Sequence, residues 1–193
     1  MKNLVKLLVT STCCLLLAKP GNSQLKLPLA NGTGTDIRKV IEDYPNRFQN
    51  LSGQVRTIHA QSTDYECTLK ITGAEECFIT RYPDEEDKCS WQAVLLTTEN
   101  FEKAKQRFKS QYNQLNNISV TIGGQAFKLK GDYVSPSEGM KFTSVLFSFN
   151  PDKEAVRKLK TELILEFSAP AEWKVKLLVY DRERSDEESG AEK

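Results

Sequence analysis

Cys89-Ser90-Trp91-Gln92-Ala93-Val94-Leu95-Leu96-Thr97-Thr98 runs directly into Glu99-Asn100-Phe101-Glu102-Lys103-Ala104, with Phe108, Tyr112 and Leu115 beyond. The stretch up to Thr98 is aromatic and aliphatic and reads as a strand. From Phe101 the spacing changes. Phe101, Ala104, Phe108, Tyr112 and Leu115 recur at helical steps and predict one buried stripe. Glu99 and Glu102 suit the positive end of a helix dipole. A strand that hands over to a one-faced helix points to an α+β fold, with the helix covering one face of an antiparallel sheet.

The same reading extends in both directions. Thr35 or Asp36 is expected to cap a first helix whose apolar face is Ile37, Val40, Ile41, Tyr44, Phe48 and Leu51. Pro45 falls inside that pattern and should kink the helix or start a second short one. Strands are expected over 54–60, 63–71, 75–82 and 89–98, and Thr72-Gly73-Ala74 makes a turn. After the second helix come 118–122 and 125–134 around Gly123-Gly124, then 140–150, 159–168 and 173–180. A shift of 64 places Lys39 on Lys103, Tyr44 on Phe108, Phe48 on Tyr112, Leu51 on Leu115 and Thr57 on Thr121. The expected architecture is therefore a tandem duplication of a helix plus a four-stranded antiparallel meander, with helices packed on one face of the sheet. The first repeat spans 35–98, and the second spans 99–180 with one extra strand.

Residues 1–23 have the form of a signal peptide: Lys2 and Lys6, an apolar run from Leu7 to Ala18, and small residues before Gln24. A lipoprotein signal at Cys13 or Cys14 fits less well, because Leu15 to Ala18 follows both. Residues 24–34 read as a flexible leader and 181–193 as a charged, disordered tail. The run is too short for a stable transmembrane helix, and no later segment is long and apolar enough to span a bilayer. The expected location is exported, periplasmic or extracellular.

The chain of 193 residues carries a formal charge of +1, which becomes −2 once Lys2, Lys6 and Lys19 are removed. That balance gives no electrostatic case for nucleic acid. Beyond the leader stand Cys67, Cys77 and Cys89. A hairpin near Pro83 would place Cys77 opposite Cys89, the candidate disulfide. Three unbonded, half-buried thiols are the other reading.

The sequence carries no recognisable catalytic, cofactor or metal motif. His59 is the only histidine. Gly32-Thr33-Gly34-Thr35 lacks the strand and the Lys-Ser/Thr of a phosphate loop. Asp84, Glu85, Glu86 and Asp87 are consecutive, unlike the alternating ligands of a calcium loop. Asn31, Asn50 and Asn117 begin sequons, of which Asn50 and Asn117 are read as helix-end residues. Trp91 and Trp173 form a ligand platform only if both face the open side of the sheet.

The stretch Ser90 to Ala104, continued by Tyr112-Asn113-Gln114-Leu115 and by Lys141-Phe142-Thr143-Ser144-Val145, resembles uncharacterised exported proteins of Gram-negative bacteria. The resemblance implies no activity and no functional residues.

The expected function is a non-enzymatic exported module that binds a protein or envelope component and carries no cofactor. Two alternatives stand beside it. One is a small-ligand or lipid carrier with a cavity near Trp91, Phe127, Phe147 and Trp173. The other is a hydrolase in which two of Asp64, Glu66, Asp132, Glu162 and Glu166 converge.

Overall fold

The computed structural model describes residues 31–82 and 88–181. The signal-peptide reading over 1–23, the leader over 24–30, the acidic run 84–87 and the tail beyond Asp181 lie outside the described residues. Nine strands form one antiparallel sheet in the order β1-β2-β3-β4-β9-β8-β7-β6-β5. They are β1 Ser52–Ile58, β2 Thr63–Cys67, β3 Glu76–Arg81, β4 Cys89–Thr98, β5 Ser119–Ile122, β6 Gln125–Lys130, β7 Phe142–Asn150, β8 Lys160–Ser168 and β9 Glu172–Tyr180. The helices are α1 Asn31–Glu42, α2 Phe101–Leu115 and the single turn α3 Glu154–Arg157.

The α+β class and the antiparallel sheet agree with the sequence reading. The duplicated four-stranded meander does not: there is one sheet of nine strands. The reason lies in β4 and β9. Both alternate apolar residues along nearly their whole length, and they pair antiparallel from Ser90↔Tyr180 to Thr98↔Trp173. Unpaired, each would present a long apolar edge. Pairing satisfies those backbone groups and merges the two halves. The remaining edges are blunted: β1 is broken twice by register shifts, and β5 has only four residues.

Residues of α1 (Ile37, Val40, Ile41) and of α2 (Phe101, Ala104, Phe108, Leu115) join Trp91, Trp173, Val175, Leu177 and Leu163 in a single buried cluster. Both helices therefore cover the same face. α2 begins where its sequence says, with the Asn100 side chain accepting from the Lys103 N–H at 2.9 Å. α1 begins at Asn31, earlier than the expected cap at Thr35 or Asp36. Contacts with the β2–β3 connection extend it. Thr33 Oγ1 donates to the Thr72 carbonyl at 2.6 Å, and the Asp36 carboxylate accepts from Thr72 N and Oγ1 at 3.0 and 2.7 Å. A Cβ at Gly32 would lie 2.7 Å from Thr72 Oγ1, so glycine permits this approach. Pro45 stops α1 and opens a short 3-10 turn, Tyr44–Asn46. Gly123 and Gly124 have φ of 56° and 78°, the positive pair a type I′ hairpin needs.

Candidate functional site

Alternation sends one set of side chains from each central strand away from the helices. Among the described residues the two long helices α1 and α2 pack on the opposite face, and only the single turn α3 borders this one, beside Leu146 and Ser148. Register defines its rows. Phe78 (β3) lies beside Gln92 (β4), Gln92 beside Leu178 (β9), Leu178 beside Glu162 (β8), and Glu162 beside Leu146 (β7). The next row runs Glu76, Val94, Lys176, Ile164, Ser144. Strands stand about 4.8 Å apart, so five of them span roughly 19 Å between the outer two.

This face is amphipathic. Leu146 and Phe142 are 51% and 39% exposed, whereas Val94 and Ile164 are 6% and 5% exposed although no helix lies over them. Lys176 stands in register between Val94 and Ile164, so its aliphatic stem shields both, and its ammonium pairs with Glu166. Such a partly exposed ion pair adds only about 0–1 kcal/mol. Tyr180 Oη donates to Glu162 Oε2 at 3.0 Å. Over β4 the face sinks into a recess of about 440 Å³ with Phe78, Gln92 and Val94 among its lining residues. Glu75 and Glu76 border one side and Lys174 and Lys176 the other. Glu76 also holds Arg56 at 2.8 Å, and that guanidinium lies 5.2 Å from the Phe78 ring centroid. The recess is thus a trough about two strand spacings wide, roughly 10 Å, with an acidic and a basic wall.

The residues singled out in the sequence fall elsewhere. Trp91 and Trp173 are 0% and 2% exposed and face the helices, so they form no platform for a ligand on the open face. Trp173 is held between Phe101 and Phe167, at centroid distances of 4.9 and 5.1 Å. Phe127 and Phe147 are buried in the same cluster. Cys77 and Cys89 are free and stand apart: Cys77 is opposite Ala93, and Cys89 is opposite Arg81. Cys77 has a different neighbour, because its thiol and that of Cys67 both reach the Leu69 carbonyl, at 3.5 and 3.4 Å.

The carboxylates do not gather. Asp64 and Glu66 lie on β2, and Glu162 and Glu166 on β8, with β3, β4 and β9 between them. Asp132 follows β6. His59 Nε2 meets Asp64 Oδ2 at 3.0 Å, while Asp64 Oδ1 accepts from Thr80 Oγ1 at 2.7 Å. The Thr80 hydroxyl therefore gives its proton to the carboxylate rather than to the imidazole. Among the described residues no group of three His, Cys, Asp or Glu side chains is placed to hold a metal ion. The Asn50 and Asn117 side chains make local bonds, to Asp43 Oδ1 at 2.6 Å and to the Asn113 carbonyl at 2.7 Å.

The trough has only a faint signature in the sequence. Lys174, Lys176 and Leu178 alternate with the buried Val175 and Leu177, which marks them as a second face. Comparison with protein-family models, curated proteins and solved structures finds no match for this chain.

Proposed function

We propose that this chain is an exported binding module whose uncovered sheet face holds a segment of a partner protein. The observation that carries the reading is the trough over β4, with Phe78 and Val94 in its floor between acidic and basic walls. The partly exposed Phe78 ring supplies affinity on burial, about 25 cal/mol per Å², whereas Val94 is already buried. Glu76 and Lys176 are held by Arg56 and Glu166, so Glu75 and Lys174 are the wall charges that favour a segment carrying both signs and set its direction across the strands. The export part rests on the signal-like residues 1–23. Among the described residues no helix is long and apolar enough to cross a membrane.

The test places a photo-crosslinking residue at Gln92, in the trough, or at Glu102, on the solvent side of α2. The full chain is expressed in its native envelope. One discrete adduct from Gln92, absent from Glu102, is the expected result. Equal adducts from both positions, or none from Gln92, would sink the reading.

A further inference from the structure

Cys67 ends β2, and Cys77 is the second residue of β3. The β2–β3 register pairs Glu66 with Phe78, so its next position sets Cys67 opposite Cys77. Directly opposed residues on antiparallel strands have Cα atoms about 4.5–5.5 Å apart, within the roughly 4.4–6.8 Å that a disulfide spans. Both thiols converge on the Leu69 carbonyl, and Trp91 Nε1 donates to the Cys67 sulfur at 3.4 Å. Both cysteines are half-buried, so a small oxidant can reach them.

We propose that Cys67 and Cys77 are a dithiol that reacts with a disulfide-bearing oxidant to form a cross-strand disulfide. Their surroundings divide the work. A hydrogen bond with Cys77, against the effect of burial and with help from the Trp91 N–H, brings the Cys67 thiol down to about 6. The same hydrogen bond, together with burial, pushes the Cys77 thiol well above its usual range. Cys67 is the attacking sulfur and Cys77 the resolving one. The Cys67 thiolate attacks one sulfur of the oxidant, whose other half leaves as a thiolate and takes up a proton. Cys77 then loses its proton to solvent and attacks the Cys67 sulfur, and the second thiol of the oxidant departs. Two protein thiols are oxidised to one disulfide, and one disulfide is reduced to two thiols.

The bond would close the base of the β2–β3 connection, which holds both helices. Thr72 binds Thr33 and Asp36 of α1, and the Gly73 carbonyl accepts from Arg107 of α2 at 3.0 Å. Oxidation would therefore lock the segment on which both helices rest.

Trypsin cleaves after Arg56, Lys70, Arg81 and Lys88, which puts Cys67, Cys77 and Cys89 in three different peptides, none of which contains Cys13 or Cys14. The reduced full chain is equilibrated with glutathione disulfide, alkylated and digested. The expected product links peptide 57–70 to peptide 71–81, with Cys89 alkylated. Tm is expected to rise by about 5–10 °C over the reduced chain, and Cys67→Ser to abolish both effects. A link to Cys89, a glutathione adduct that never resolves, or alkylation of both Cys67 and Cys77 overturns the proposal. A bond that leaves Tm unchanged overturns the locking of the connection.

Discussion

The indole N–H of Trp91, wholly buried on β4, donates to the sulfur of Cys67 on β2 at 3.4 Å. The contact crosses the intervening β3 and ties the core to the thiol pair. It gives Trp91 the polar partner that a buried indole needs, and it gives the Cys67 thiolate a donor.

Removing either donor should raise the Cys67 pKa from about 6. Cys77→Ala should raise it more than Trp91→Phe, because the Cys77 hydrogen bond is the larger cause. The rate of Cys67 alkylation against pH in the reduced protein measures this. A wild-type midpoint near the ordinary thiol value would refute it. The linkage has a definite sign. Because the folded pKa of Cys67 is depressed, its contribution is present above the unfolded value near 9 and is lost as pH falls through about 6. Cys77 is raised, so its contribution disappears as pH climbs past that same unfolded value. The pair should stabilise the reduced fold most near pH 9, and Cys77→Ala should flatten the profile.

Leu146 and Phe147 are neighbours on β7 with opposite fates, 51% and 0% exposed. Phe147→Ala should cost about 3–5 kcal/mol by urea unfolding, the usual loss for a buried ring. Leu146→Ser should stay within about 0.5 kcal/mol of wild type and yet weaken the Gln92 adduct. An undiminished adduct would remove Leu146 from the binding surface.

Gln111 stands on the buried stripe of α2, wholly inaccessible, and neither side-chain polar atom has a hydrogen-bond partner. An unsatisfied buried amide costs about 1–3 kcal/mol. Gln111→Met keeps the volume and removes the polar atoms, so the urea midpoint should rise with an unchanged slope. A lower midpoint would mean that the amide has a partner in solution.

The local elements were legible in the sequence because each follows from a short-range period. β4 and the stripe on α2 lie where alternation and helical spacing put them, and Gly123-Gly124 turns as its composition requires. Position 111 was legible too, being three residues after Phe108 and four before Leu115, but its polarity hid it. The helix-plus-meander pattern also reads as a repeated four-stranded unit, and nothing local says how the two halves meet. Only the pairing of β4 with β9 joins them, and that contact links residues some eighty positions apart.

By itself the sequence determined which side chains share a face: Trp91 with Ala93, Lys174 with Lys176, Cys67 with Tyr65. The tertiary structure decided which face the helices cover and which strand lies next to which. It therefore buried both tryptophans, left the lysine face open, and set Cys77 beside Cys67 instead of Cys89. The physical reason is that a strand's alternation is local, whereas its register and partner are fixed by hydrogen bonds and burial between distant segments, to which the two-residue period is blind.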